Sequence, residues 1–351
     1  MSRIKPLSFT ILGALALAVT TASCGDDSSS TPERLVLVAY DSFTPPEGAF
    51  DAFTAATGIE VDVAVGGDAG ELVAKAALTA GNPEGDVLWG VDNTLLSRAL
   101  DADVFDAYVS NAHPLDASLV AAGANSVTPV DFGDVCVNYD IAALKALGLP
   151  APESFDDLAD PAYSGLLVVA SATSSSPGLA FLLATVAQFG DDWPDYWSRL
   201  VSNDVLVVDG WSDAYYTAFS RYGGDRPLVL SYASSPPAEV LFADPPLPAD
   251  ADAPTGVVTS TCFRQIEFAG VLRGTDHVAA ARLLVDYLVS DEFQSLLPES
   301  LFVYPANTAT VLPESFVRHA PTITSPLVLD SAVIAANRAA WLETWSRIAL
   351  P

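Results

Sequence analysis

The stretch TPVDFGDVCVNYD (residues 128–140) decides how the rest of the chain is read. Its β-favouring residues make it extended, and it leads directly into a helical pattern, IAALKALGL. A second extended stretch, STCFRQIEFAGVL (260–272), is followed by the amphipathic helix pattern DHVAAARLLVDYLVS. One α/β series lies before the first stretch and another lies between the two. The chain would then cross between two lobes near 131–138 and again near 262–269, and two lobes joined by two crossings form a hinged cleft.

Working outward, RLVLVAY (34–40) reads as a buried strand, and PEGAFDAFTAATG as a helix stopped at Gly58. IEVDVAV (59–65) alternates as a strand, AGELVAKAALTAG is a helix, DVLWG (86–90) a strand and NTLLSRAL a helix. This rhythm predicts a parallel α/β sheet. The second series contains GLLVVAS (165–171) as a strand and PGLAFLLATVAQFG as a helix opened by Pro177. VLVVD (205–209) and LVLSY (228–232) are further strands, with a helix over VDGWSDAYYTAF (208–219) between them. DPPLPADADAP (244–254) is a Pro/Asp loop, and SAVIAANRAAWLETWSRIAL is a long terminal helix.

With half of its 351 residues apolar, the chain can bury a sizeable core. Its 44 acidic residues against 15 basic ones give a formal charge of −29. Such a charge repels nucleic acid and anionic bilayers, attracts cations, and otherwise keeps a surface solvated. The N-terminus reads as a leader over residues 1–23: Arg3 and Lys5, then the apolar run LSFTILGALALAV, then small residues up to Cys24. TASC resembles a lipobox in which Cys24 is lipidated, although Thr21 stands where Leu is usual, so simple secretion remains open. Residues 24–33 are a polar, Ser-rich tether. The expected product is exported and lipid-anchored, with a first lobe over 34–131 and 267–351, including the terminal helix, and a second over 132–266. In an oxidising compartment Cys136 and Cys262 read as one disulfide, and a free reactive thiol is the rival reading.

VDGWSDAYYTAF admits three chemistries. A nucleophile elbow needs Gly-x-Ser-x-Gly, but Ala214 takes the fifth place, no Gly-rich oxyanion segment precedes it, and only His113, His277 and His319 are available as bases. Tyr215 and Tyr216 could be phenolate ligands to ferric iron, but neighbours in a helix point about 100° apart, and no His or Glu partner stands near the first strand. An aromatic pocket has wider support: Tyr40, Trp211 and Tyr232 each end or follow a strand, and Phe302 and Tyr304 lie in a late loop. Strand C-terminal ends are where open α/β sheets bind ligands, and the Ser run SATSSSPG (171–178) opens a helix there. The plainer reading keeps these rings as core and the Ser run as ordinary capping.

YDSF (40–43), GVDNTLL (90–96), VDFGDVCVNYD (130–140), SSSPGLAFLL (174–183), GWSDAY (210–215), LVLSYASSP (228–236) and VYPAN (303–307) occur in that order. Together they make the chain resemble the periplasmic thiamine-binding proteins of bacterial import systems, from about residue 35 to the final helix. The resemblance implies a type II periplasmic-binding-protein fold and capture of thiamine, or its phosphate esters, for an ABC importer's permease and ATPase. It implies a non-enzymatic monomer without cofactor or resident metal. The family's ligand residues would fall on Asp68 and Ala69, Ser175 and Ser176, Trp211, and Tyr232, Ala233, Ser234 and Ser235, with Tyr40 and Phe302 as further aromatic surface. Ala69 departs from the family's Gly, Ala233 from a Thr, Phe302 from a Trp and Thr173 from an Arg, and the last change favours thiamine over its phosphates. The chemistry of that ligand would suit the thiazolium to ring faces and Asp68, the aminopyrimidine to Tyr232–Ser235, and the tail to Ser175–Ser176. A thiaminase I-like enzyme using Cys136 is the rival of another class, and ferric-iron transport is the rival within binding proteins.

Overall fold

Two long strands carry the architecture. The computed structural model describes residues 34–121, 124–248 and 250–350, so the expected leader, Cys24 and tether lie outside the described residues. In chain order the strands are β1 (Arg34–Ala39), β2 (Glu60–Val65), β3 (Val87–Asp92), β4 (Thr128–Asp140), β5 (Leu167–Ala170), β6 (Leu206–Val208), β7 (Leu228–Tyr232), β8 (Thr255–Val271) and β9 (Tyr304–Pro305). They form one sheet in the order β2-β1-β3-β8-β4-β7-β5-β6, with β9 on β4. β4 and β8 pair antiparallel from Thr128↔Ala269 to Asp140↔Thr255, with irregularities at Pro129/Asp131 and Val135/Val137. The β1–β3 group flanks one end of this pair and the β5–β7 group the other.

The sheet is therefore mixed, where the rhythm of the sequence predicts a parallel one. β1, β2 and β3 are mutually parallel, as are β5, β6 and β7, but β8 runs against β3 and β4 runs against β7. The reason is connectivity: β4 carries the chain away from the first group and β8 carries it back, so each opposes its neighbour.

Local sequence accounts for most boundaries. Gly58 (φ 76°) ends helix Asp51–Thr57 in the left-handed region, which a Cβ disfavours. Asp68 caps helix Ala69–Leu78, and Ser175 caps helix Ser176–Phe189, which also has Pro at its start. This last helix is buried through its first three turns and is correspondingly apolar all round. It lies so close to the end of β5 that a Cβ on Gly178 would overlap the Ala170 and Ser171 carbonyls. On one face of the sheet, Leu35, Leu37, Val87 and Trp89 pack under helix Val278–Leu288. On the other, Phe181, Trp197 and Trp345 anchor the larger core.

Two features depart from the sequence reading. Helix Trp193–Ser202 has no counterpart there, although Trp193, Tyr196, Trp197 and Leu200 make one buried face of it. The terminal helix Ser331–Ala349, expected wholly in the first lobe, packs on Trp193–Ser202 as well as on Leu96–Asp101. Trp345 meets Trp197 edge-on at 5.5 Å, while Arg338 donates to the Thr94 carbonyl at 3.0 Å and to Ser97 Oγ at 2.9 Å. The helix straps both ends of the sheet because its two polar and apolar anchors lie on different partners. Cys136 and Cys262 form a disulfide between β4 and β8, both sulfurs buried against Ala233. No described helix is long and apolar enough to cross a membrane.

Candidate ligand-binding site

A cavity of about 660 Å³ opens where the C-terminal ends of β1, β5, β6 and β7 meet the C-terminal part of β8 at Glu267. Its aromatic lining comes from Tyr40, Trp211, Tyr215, Tyr216, Tyr222, Tyr232, Phe242 and Phe302, and its acids are Asp41, Asp68, Glu267 and Glu299. No lysine or arginine is among the described residues that line it. Ring faces and carboxylates without a competing cation make this a site for a positively charged, flat ligand.

Trp211 forms one wall. Helix Trp211–Asp213 follows β6 and runs into a π-helical turn, Ala214–Ala218, so the predicted helix is wider than an α-helix where the tyrosines lie. The indole stacks on Tyr215 at 4.9 Å and 20°, and its N–H donates to Ser231 Oγ at 3.0 Å. Tyr215 is buried and its hydroxyl donates to Glu239 at 2.7 Å. Tyr216 stands edge-on to Trp211 at 5.5 Å and is 53% exposed. One tyrosine packs and the other faces the opening. The Tyr215 phenol is committed to Glu239, whereas Tyr216 is not bonded to that acid.

Asp68 joins elements from both ends of the sheet. Beyond capping its own helix through the Ala69 N–H at 2.7 Å, it accepts from the backbone N–H of Ser176 at 3.1 Å and of Trp211 at 3.2 Å. Burial raises its pKa, and these donors pull the other way. Next to it, Gly70 packs so tightly that a Cβ would overlap the Ser174 carbonyl. The carboxylate expected to meet a thiazolium is thus largely engaged by backbone N–H groups while still facing the cavity.

A polar chain lies beneath Tyr232. Its hydroxyl donates to Gln265 Oε1 at 2.7 Å, and Gln265 Nε2 donates in turn to Ser176 Oγ at 3.0 Å and to Asp92. Ser235 Oγ accepts from the Tyr232 N–H at 3.2 Å and shares a hydrogen bond with Ser231 Oγ. Tyr40 donates to Glu267 at 3.0 Å. Burial raises the Tyr40 and Tyr232 phenols well above their ordinary value, so both are neutral donors.

Of the residues singled out from sequence, Tyr40, Asp68, Ala69, Ser176, Trp211, Tyr232, Ser235 and Phe302 line the cavity. Three stand behind it. Ser175 is buried and caps its helix, Ala233 packs on the disulfide, and Ser234 Oγ donates to the Phe302 carbonyl at 2.5 Å. That bond helps hold Phe302 at φ 56°, an unusual conformation for an aromatic residue, with its ring edge-on to Phe242. The sequence reading overlooked Glu267, Tyr222 and Phe242 as lining residues. For Glu267 a signal was present: an acid in the middle of the apolar run QIEFAGVL is costly to bury without a purpose.

A mixed sheet spanned by two long antiparallel strands, with an aromatic and acidic cavity beside them, is the build of a solute-binding protein. The chain belongs to the family described as bacterial extracellular solute-binding protein, whose model matches residues 82–324. Among its relatives, the thiamine-binding periplasmic protein of Escherichia coli K12 is 30% identical over 319 residues, covering 89% of this chain and 92% of the relative. The protein of the same name from Salmonella typhimurium is 28% identical over 320 residues, with the same coverage. A solved structure, a periplasmic thiamin binding protein, aligns with a TM-score of 0.78 at 26% identity, covering 91% of this chain and 96% of the other.

Proposed function

We propose that this protein captures thiamine outside the cytoplasmic membrane and delivers it to an ABC importer. The observation that carries the reading is the cavity itself: aromatic walls and acids with no lysine or arginine in the lining, in a chain whose relatives bear the name of thiamine binding. Thiazolium is a permanent cation and gains from each partly desolvated ring face on the order of 1–2 kcal/mol. The aminopyrimidine needs hydroxyl and backbone partners, which Tyr232, Ser235 and Ser176 supply. No arginine or lysine is among the described lining residues, which supports thiamine over its phosphates, because a helix start without a side-chain cation holds an anion only weakly.

The enzyme reading through Cys136 loses its nucleophile, because that sulfur is bonded to Cys262 and buried outside the cavity lining. We infer lobes divided at 131/132 and 266/267, a monomeric protein and a lipid anchor at Cys24. The irregularity in β4 at Pro129/Asp131 supports the first division. Calorimetric titration with thiamine, its mono- and diphosphate and ferric iron tests the reading. Tight binding of thiamine is expected, and absence of heat with every thiamine form would overturn it.

A further inference from the structure

Three carboxylates lie side by side across the middle of the sheet. Glu267 on β8 sits opposite Asp92 on β3 and opposite Asp131 on β4, so all three project from one face. Their surroundings differ. Asp92 is satisfied by Thr94, Leu95 and Gln265, as expected of an ionised acid. Asp131 is 1% exposed, and neither of its oxygens has a hydrogen-bond partner among the described residues. Glu267 is 5% exposed, lines the cavity, and accepts from the neutral Tyr40 phenol.

Two acids directly opposite each other in a dry sheet cannot both ionise cheaply, so the pair retains a proton. The groups facing Glu267 are Tyr40, Tyr232 and the Trp89 indole, which are neutral, and Asp68, Asp92 and Asp131, none of which brings a positive charge. Burial first, then Asp92 and Asp68, push Glu267 up to about 8 against the pull of the Tyr40 hydroxyl, and burial and then Glu267 raise Asp131 well above its ordinary value. An apolar pair would stabilise the sheet better than this arrangement does. What the arrangement lacks is a positive charge, and the cavity opens onto Glu267.

We infer that Glu267, backed by Asp131, is the counter-charge for a fixed organic cation in the cavity, and that the cation displaces the proton this pair holds. The inference rests on the thiamine reading and deepens it. The exchange is balanced: Glu267 gives up one proton to buffer, the pair thereby gains one negative charge, and the ligand brings one positive charge. Affinity for the cation then rises with pH, by at most tenfold per unit, and levels off once the free pair has ionised.

The test is calorimetry of thiamine binding at pH 7 in buffers of different ionisation enthalpy. Release of up to one proton per thiamine is expected. Glu267→Gln should abolish the release and flatten the pH dependence of Kd between pH 6 and 9. Asp131→Asn should leave most of the release in place, because burial, Asp92 and Asp68 still hold the Glu267 proton. Loss of the release in that variant would place the exchanged proton on Asp131 and overturn the assignment to Glu267. A merely structural role for Glu267 would move neither readout. Tight thiamine binding with buffer-independent heat in the unaltered protein would overturn the inference and leave the thiamine reading standing, as would release that persists in Glu267→Gln. Absence of thiamine binding in the unaltered protein would overturn both. If neither variant folds, the buffer dependence of the unaltered protein decides alone.

Discussion

Trp345 and Trp211 are the same residue type in two opposite situations. Trp345 is fully buried, meets Trp197 edge-on, and its indole N–H has no partner among the described residues. Trp211 is half-buried, stacks one face on Tyr215, donates its N–H to Ser231 and turns its remaining surface to the cavity. In the first, every ring face is covered by side chains and the energy goes into holding the terminal helix to the body. In the second, a polar anchor fixes the ring's position and leaves a face uncovered. An aromatic residue serves binding when something other than packing holds it in place.

Trp345→Ala should destabilise the protein most, by about 3–5 kcal/mol, since it leaves a cavity against Trp197. Urea unfolding would measure this, and thiamine affinity in the remaining folded fraction should be unchanged; a loss of affinity would show that the two regions are not independent. Replacing both Cys136 and Cys262 by Ala should cost about 2–5 kcal/mol, because the bond closes a loop of sequence separation 126. Free-thiol titration of the unaltered protein without unfolding should find neither cysteine. Trp211→Ala should reverse the pattern: unfolding changes little, while thiamine affinity falls by roughly tenfold, about 1–2 kcal/mol. Full-strength binding by that variant would remove the central residue of the proposed site. Tyr216→Leu removes only an edge of the same wall and should weaken binding by less, under about 1 kcal/mol by calorimetry.

The acid row adds a directional prediction. Glu267, pushed up to about 8 from an ordinary 4.5, keeps in the folded state a proton that the unfolded chain has lost between those values. Its contribution to stability is therefore undiminished below about pH 4.5 and falls as pH rises to 8. Glu267→Gln should remove that part of the slope, so urea melts at pH 5.5 and 8 should differ less in the variant than in the unaltered protein.

Much of this was legible because it is local. Gly58, Ser175 and Pro177 mark helix ends through their own backbone preferences, and strict alternation in IEVDVAV marks a strand whatever surrounds it. LVLSY emerged as a strand with its bounds intact. Helix Trp193–Ser202 was harder to read because its apolar face is made of Trp and Tyr, residues equally at home in strands and pockets. The same ambiguity kept Tyr215 and Tyr216 open until one was found bonded to Glu239, a partner 24 residues away.

By itself, the sequence determined an acidic two-series α/β chain with two extended crossings, and it located rings near strand ends. Those properties depend on neighbours within a few residues and on net composition. Only the tertiary structure decided which acids face one another, which tyrosine is buried, and that the last helix holds both ends of the sheet. Asp92, Asp131 and Glu267 are far apart in sequence, and only strand register puts them in one row. Register follows from the burial of whole strand faces, and that is a property of the assembled sheet.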